Sequence, residues 1–163
     1  MALTINFIGS AADINHVNLR KQGNEDDRVL AIDIKLVGET QAKVLNELLG
    51  VADEDDVTNL FWSSVPGADP ESLRMMSLDE IGIDGVWPRR IITLGKNTAT
   101  GDVKKISFRP RPGHRLDLTV SVSIEAPPKE LLDYIVAKIK ESVTCRIESQ
   151  PELDLGKTPK AAP

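Results

Sequence analysis

The amino-acid sequence predicts a mainly β protein with two helices, an α+β fold whose strands pair antiparallel. Residues 115–125 alternate strictly between apolar and polar side chains, the pattern of a strand with one face buried and one face in water. Residues 28–37 repeat this alternation. The predicted strands also follow one another without the intervening helices that parallel pairing requires. We therefore expect an antiparallel β-sandwich or a partly open barrel, with one C-terminal helix packed on it.

Six segments carry the strand signal, in which β-branched side chains are bounded by glycine, asparagine or proline. In the clearest of them, one face carries the apolar side chains of Leu116, Leu118, Val120, Val122 and Ile124. The other face carries Asp117, Thr119, Ser121, Ser123 and Glu125. The six predicted strands are residues 3–8, 28–37, 89–94, 103–108, 115–125 and 143–149.

Two segments predict helices, because their apolar side chains recur at the spacing of one helical face. In residues 128–141 this stripe comprises Leu131, Leu132, Ile135, Val136 and Ile139. Pro128 suits the first turn, where its missing N–H costs nothing. In residues 40–49 the stripe comprises Val44, Leu45, Leu48 and Leu49. Gly50 follows this second stripe and is a natural helix end.

The length of 163 residues suits a single β-rich domain, which we place at residues 1–149. Within it, residues 51–88 predict an irregular, loop-rich insertion, and the aperiodic residues 150–163 predict a flexible tail. No apolar run approaches the roughly 18 residues of a membrane helix, so we expect no membrane partner. The start MALTINFIGS lacks the basic and apolar regions of a signal peptide. Cys145 is the single cysteine, which excludes an intrachain disulfide and favours a cytoplasmic protein.

The charge is distributed unevenly along the chain. Its formal net value is −5, yet residues 1–88 carry 6 Lys or Arg against 16 Asp or Glu. Residues 89–115 carry eight basic residues and one acidic residue, Asp102. Such asymmetry predicts a polarised surface, which steers charged partners. The other interpretation is that a β-hairpin solvates its outer face with lysine and arginine.

Few side chains suit catalysis. The chain has two histidines, His16 and His114, and no nucleophile-elbow sequence surrounds a serine near either of them. Cys145 alternates with Val143 and Ile147 in a predicted strand, which indicates a small buried side chain rather than a nucleophile. We therefore expect no enzymatic activity and assign no catalytic residue.

No metal site and no cofactor is expected either. The acidic runs at residues 24–27 and 53–56 offer carboxylates, which hard cations prefer. Adjacent acids on an extended chain diverge, however, and neither run has EF-hand spacing, so both predict solvated loops. No Cys/His cluster suits zinc. Residues 95–101, GKNTATG, lack the spacing of a phosphate-binding P-loop and predict the turn between two strands.

The remaining functional candidate is the segment of residues 89–115, which we call the basic hairpin. Arginine forks bind phosphate and carboxylate well. Pro110 and Pro112 are expected to stiffen residues 109–115 into an extended, projecting loop, which lowers the entropy lost on docking. The predicted contact residues for a protein partner or nucleic acid are Arg89, Arg90, Lys96, Lys104, Lys105, Arg109, Arg111 and Arg115.

Residues 16–50 resemble the opening of an uncharacterised family of bacteriophage and prophage early-region proteins. In that family a Val-Asn-x-Arg stretch, matched by residues 17–20, precedes a Gly-containing acidic loop and a strand of the LAIDIKL type, matched by residues 30–36. The later order also matches, namely ITLGKN, a basic strand, LDLTVSVSI, and a closing helix and strand, so the resemblance covers about residues 16–149. Residues 51–88 depart most from the family's pattern. The resemblance implies a phage-encoded protein acting in the host cytoplasm near DNA replication and recombination, and it carries no catalytic residues to transfer.

These observations lead to the expectation of a phage-encoded, non-enzymatic binding protein that contacts nucleic acid or a host complex that handles it. One alternative is an inhibitor of a host defence system, such as an anti-CRISPR, that acts by protein–protein binding. The other is a structural or assembly component. The six aromatic residues are few for a single-strand binder, which stacks bases on aromatic rings, and the acidic net charge also opposes nucleic-acid binding. The oligomeric state is left open.

Overall fold

The computed structural model describes residues 4–24, 26, 28–51, 56–62, 73 and 80–149. The strands of this described part are β1 Thr4–Gln22, β2 Val29–Gln41, β3 Ile81–Ile83, β4 Trp87–Leu94, β5 Asn97–Arg111, β6 Arg115–Glu125 and β7 Ser142–Ser149. Its helices are α1 Val44–Leu49, α2 Lys129–Ala137 and the short 3₁₀ helix Val57–Leu60.

Six strands form a closed antiparallel ring in the order β1, β2, β6, β5, β4 and β7, and β7 pairs back to β1. The ring closes through β5, which pairs along both edges. Residues 102–111 pair with β6 on one edge, and the first part of β5 pairs with β4 on the other. β3 continues the second edge, opposite residues 106–108. The ring is uneven because β1 pairs with β7 through its first half and with β2 through its second.

The apolar faces of the alternating strands point into the ring. Residues directly opposite each other in an antiparallel pair share a face. Ile34 lies opposite Val122, and Ile106 lies opposite Val120, and all four are buried. Burial of these apolar side chains is the main stabilisation of the ring, because each Å² of apolar area removed from water contributes roughly 25 cal/mol.

The two α-helices lie at opposite ends of the ring. α1 follows the end of β2 that pairs with the start of β6, whereas α2 follows the end of β6. Each helix turns its apolar stripe inward, so that Leu45 and Leu48 of α1 and Leu131 and Ile135 of α2 are buried. Neither helix has the length and apolarity to cross a membrane, nor does any other in the described part of the chain.

The predicted mainly β fold with two helices is confirmed. Of the two predicted arrangements the structure has the barrel, and its ring of strands is closed. Strand 115–125 has the predicted bounds. Residues 95–101 do not form the predicted turn, because only Gly95 and Lys96 turn while residues 97–101 pair with β4. The predicted strand at residues 3–8 is part of the longer β1, which continues through two register shifts.

Both helices are shorter than predicted. α1 begins at Val44 instead of residue 40, because Thr40 still pairs with Leu116 in the sheet. α2 ends at Ala137 instead of residue 141, since the backbone N–H of Lys140 donates to the carbonyl oxygen of Ile14 at 2.7 Å and ties the chain to β1. The predicted insertion at residues 51–88 contains the 3₁₀ helix, β3 and the first residues of β4 where it is described. The predicted tail at residues 150–163 lies outside the described residues.

A glycine at the closure point provides a test of the ring. A methyl group on Gly101 would lie 2.7 Å from the carbonyl oxygen of Ser123 and 2.9 Å from the side chain of Ile92. We expect Gly101→Ala to lower the free energy of unfolding by about 1–3 kcal/mol, the usual cost of overpacking, as measured by urea denaturation. Gly82→Ala is the matched control, because its methyl group meets nothing within 4 Å. Equal effects of the two substitutions would contradict the close approach at Gly101.

Candidate functional site

The structure distributes the eight predicted basic residues over four places on the barrel. These are the start of β4 with Arg89 and Arg90, the β4–β5 turn with Lys96, the middle of β5 with Lys104 and Lys105, and the β5–β6 turn region with Arg109, Arg111 and Arg115. β5 has 15 residues, so its ends lie on the order of 45 Å apart along the strand. The eight residues therefore do not form one patch.

The prediction of a stiff, projecting loop at residues 109–115 is wrong. β5 continues to Arg111, and Pro110 is buried in the pairing with β6. The prolines do not extend a loop, since the turn is limited to residues 112–114. Beyond Phe108 the second edge of β5 has no partner strand in the described chain, and a strand position with one open edge tolerates proline.

Three of the basic residues are held by carboxylates. Arg111 donates to Asp117 at 2.9 Å, Arg115 lies 3.6 Å from Glu39, and Lys104 lies 3.8 Å from Asp102. All three pairs are well exposed to solvent, and exposed pairs of this kind contribute about 1 kcal/mol or less. Their charges are locally compensated, so they are weaker attractants for an anionic partner than an uncompensated cation.

Arg89 and Arg90 form part of an irregular start of β4. The register with β5 shifts between Trp87 and Arg90, and Arg89 has a left-handed φ of 54°. The backbone N–H of Arg89 donates to the Asp102 carboxylate at 3.0 Å, and the Arg90 guanidinium donates to the carbonyl oxygen of Pro88 at 2.7 Å. These contacts stabilise the irregular backbone at the register shift between Trp87 and Arg90.

Lys105 and Arg109 point outward from the same face of β5. Both are exposed, and neither forms an ion pair with a described carboxylate. Lys35 of β2 joins them, because Lys35 lies opposite Ser121 of β6 and Ser121 lies opposite Lys105. By strand geometry Lys105 lies about 13 Å from Arg109 and about 10 Å from Lys35. We call Lys35, Lys105 and Arg109 the basic face.

Short hydroxyl side chains lie among the three cations of the basic face. Ser107 lies opposite Thr119, between Lys105 and Arg109, and Ser121 lies between Lys105 and Lys35. Ser107 is buried, and the other two are half-buried. Lys35 was absent from the predicted contact residues. The alternation in residues 28–37 already places Lys35 on the polar face of its strand. Its position beside Lys105 follows only from the registers of β2 with β6 and of β6 with β5, which the sequence does not reveal.

A polar network adjoins the basic face and joins three strands. The guanidinium of Arg20 on β1 donates hydrogen bonds of 2.8 and 3.2 Å to the two carboxylate oxygens of Asp33 on β2. It also donates to the Ser123 hydroxyl on β6 at 2.9 Å. Arg20 also donates to the side chain of Gln22, which in turn donates to Glu125 at 2.5 Å. Arg20 ends the segment of residues 17–20 and Asp33 lies in the strand segment of residues 30–36, so this contact joins two segments that are separate in sequence.

The charge state of Asp33 follows from this network. Partial burial acts to raise the pKa of Asp33, but hydrogen bonds from Arg20, Ser123 and Asn18 outweigh it, so the net pKa is lowered. The hydrogen bond to Asp33 correspondingly raises the pKa of Arg20. The pair is therefore ionised and mutually compensated, whereas the neighbouring Lys35 forms no ion pair with a described carboxylate.

The other side chains that could react or bind a metal lie apart from the basic face or beside it. Burial raises the pKa of the Cys145 thiol to about 12, and Cys145 is the buried side chain that its alternation predicted. His16 is exposed on β1, opposite Lys35. His114 lies in the β5–β6 turn at the end of the barrel, where it stacks on Trp62. Among the described residues no three His, Cys, Asp or Glu side chains converge as a metal site.

Comparisons with protein-family models, with curated proteins and with solved structures found no match to this chain. The function is therefore argued from the chain's own residues.

The Arg20–Asp33 pair provides a test of the network. We expect Asp33→Asn to lower the free energy of unfolding at pH 7 by about 1 kcal/mol, since solvent screens a pair that is about one-third exposed. Because folding lowers the pKa of Asp33, its stabilisation is complete above about pH 3.9, the ordinary pKa of aspartate. It is lost as the pH falls further, through the lower pKa of the folded state. Urea unfolding from pH 7 down to pH 2.5 measures the difference.

Asp84→Asn is the matched control, because Asp84 is exposed and forms no ion pair with the described residues. The wild type and Asp33→Asn should converge in stability at the acid end of the series. A difference that is the same at every pH would assign the loss to packing instead of to charge.

Proposed function

We propose that this protein is a phage-encoded, non-enzymatic binding protein, and that its basic face contacts the phosphates of nucleic acid. The observation that carries the proposal is the arrangement of Lys35, Lys105 and Arg109. These three exposed cations lie on one sheet face and form no ion pair with a described carboxylate, because Asp117, which lies opposite Arg109, pairs with Arg111 instead. Clustered lysine and arginine supply the counterion release that drives nucleic-acid binding.

The chemistry between the cations also favours phosphate. Ser121 and Thr119 are hydroxyl donors set between the charged groups, and side chains of this type commonly bind phosphate oxygens. Arginine adds a planar fork that matches a phosphate group. The closed ring holds both strands in register, so the cations are positioned before the partner arrives, which lowers the cost of ordering them.

The aromatic residues favour backbone contact over base stacking on this face. The chain has six aromatic residues, and the one that lies on β5, Phe108, points into the core. Trp87 is partly buried against the same core. A face of cations and hydroxyls contacts the phosphate backbone, and such contacts do not depend on the base sequence. We therefore propose duplex DNA bound without sequence specificity as the ligand of the basic face.

The acidic net charge limits this contact to one side of the molecule. The chain carries a formal charge of −5, so nucleic acid is repelled from much of the surface and attracted where positive charge is uncompensated. The compensated pairs Arg20–Asp33 and Arg111–Asp117 flank the basic face on two sides. This distribution supports one bounded contact surface.

Titration with a short DNA duplex at two salt concentrations tests the proposal. We expect the affinity to fall steeply with salt. Replacing Lys105 and Arg109 together with alanine should weaken binding and reduce the slope of log affinity against log salt by about 1.8, because each lost phosphate contact contributes about 0.9. The charge-matched control is Lys96→Ala with Lys138→Ala, which removes two positive charges at the α2 end of the barrel. This control should change the slope little.

Two results would reject the proposal. One is equal loss of binding in the two double variants, which would show that total charge matters and the basic face does not. The other is no binding to DNA or RNA at low salt. If a host protein complex were then captured from lysate after nuclease treatment, inhibition of a host defence system by protein–protein binding would replace nucleic-acid contact as the function.

A further inference from the structure

A row of polar side chains crosses the outer side of four neighbouring strands. His16 of β1 lies opposite Lys35 of β2. Lys35 lies opposite Ser121 of β6, which in turn lies opposite Lys105 of β5. Neighbouring strands lie about 4.8 Å apart, so the row is about 15 Å long. His16 is exposed, and it extends the row of the basic face by one strand.

A β-bulge brings His16 into this row. β1 carries one extra residue, Asn15, between Ile14 and His16. Ile14 lies opposite Leu36, and both are buried, whereas His16 lies opposite Lys35, and both are exposed. A bulge of this kind changes which side chain a strand presents to its partner. As a result His16, instead of Asn15, is the outward neighbour of Lys35.

The loop between α2 and β7 holds the backbone of the bulge. The backbone N–H of Lys140 donates to the carbonyl oxygen of Ile14 at 2.7 Å, and its Nζ donates to the carbonyl oxygen of Asn15 at 2.9 Å. The backbone N–H of Ile14 donates to the carbonyl oxygen of Glu141 at 3.1 Å. Pairing with β2 holds the chain on the other side of the bulge. The backbone at His16 is therefore fixed before a ligand arrives.

His16 and Lys35 are spaced for a single phosphate group. Residues directly opposite each other in an antiparallel pair have Cβ atoms about 5 Å apart, so both side chains reach oxygens of the same phosphate. Ser121, on the other side of Lys35, adds a hydroxyl donor. Both nitrogens of a protonated imidazole donate, whereas a neutral imidazole has one donor. The protonated ring therefore adds both a charge and a donor beside Lys35.

The charged groups that face His16 from the strands are one lysine and two carboxylates. Lys35 is directly opposite. Asp33 lies two residues along β2 and is paired with Arg20. Asp13 lies on the outer side of β1, three residues or about 10 Å from His16. Neither carboxylate forms an ion pair with His16.

The loop after α2 contributes the other charged groups near His16. Lys140 donates to the backbone beside it, as described above. The carboxylate of Glu141 lies 3.6 Å from Nζ of Lys138. Among the described residues no carboxylate forms an ion pair with His16, so a phosphate meets no bound competitor at the imidazole.

We infer that His16 and Lys35 form a subsite for one phosphate of the bound nucleic acid, and that His16 takes up a proton when the phosphate binds. The inference rests on the proposed function, since the subsite lies at the β1 end of the basic face. Histidine is the side chain that changes its charge between pH 5 and 8. A phosphate beside the ring favours the protonated form. The affinity for DNA therefore rises as the pH falls through this range.

Titration with a short DNA duplex at about pH 5.5 and about pH 8 tests the inference. The duplex has 5′-hydroxyl ends, because a terminal phosphate itself titrates near pH 6 whereas the phosphodiesters keep their charge. We expect an affinity about three- to fivefold higher at the acid pH, the contribution of one exposed ion pair. The slope of log affinity against log salt should also be steeper there, by up to about 0.9 for one further phosphate contact.

Two substitutions of His16 bracket the wild type. His16→Gln is neutral at every pH, so it should bind at both pH values as weakly as the wild type does at about pH 8. His16→Lys is charged throughout, so it should bind at both as tightly as the wild type does in acid. Thr98→Lys is the matched control, because Thr98 is exposed on β5, seven residues before Lys105. It adds the same charge outside the row and should keep the pH dependence of the wild type.

Proton nuclear magnetic resonance at neutral pH detects the proton uptake directly. The imidazole resonance that is missing from His16→Gln should move towards its acid position as duplex is added. Circular dichroism verifies that each variant is folded. An imidazole resonance that does not move would overturn the inference, and so would equal pH dependence in the wild type and His16→Gln. Either result, with duplex binding retained, would leave the proposed function in place. Absence of duplex binding by the wild type at both pH values would reject the proposed function and the subsite together.

Discussion

Pairing of β5 along both of its edges determines which side chains the barrel buries and which it exposes. Residues 102–111 join β6, and the opposite edge joins β4 and β3, so the sheet closes into a ring. Closure fixes the register, because a slip by one residue would turn Lys105 and Arg109 inward and expose Ile106 and Phe108. The burial of the apolar side chains thus determines which cations reach the surface.

The same pairing places the basic face and a cavity between α1 and the β5–β6 turn on different parts of the barrel. The basic face lies on the outer side of β2 and β5, where the neighbouring carboxylates of Asp33 and Asp117 pair with Arg20 and Arg111. The cavity lies at one end, where β2 leaves the sheet and the β5–β6 turn places His114 on Trp62.

The sequence predicts the alternating strands well and their arrangement poorly. Strand 115–125 has the predicted bounds because its period-two pattern is a local consequence of one buried face. Ring closure and the meeting of Arg20 with Asp33 depend on pairing between distant residues, which no local pattern encodes. Residues 95–101 are predicted as the turn between two strands, yet pairing with β4 makes residues 97–101 part of β5. The basic hairpin contained two of the three basic-face residues, and Lys35 required the register of β2 with β6.

The proposed contact of nucleic acid with the outer side of β2, β6 and β5 can be measured residue by residue. Nuclear magnetic resonance of the ¹⁵N-labelled protein, titrated with a short DNA duplex, tests it most directly. We expect the largest amide shift changes at Lys35, Lys105, Arg109 and the intervening residues 119–121, and we expect them to diminish with added salt. Changes centred on Lys96 and α2, or no changes at low salt, would contradict it.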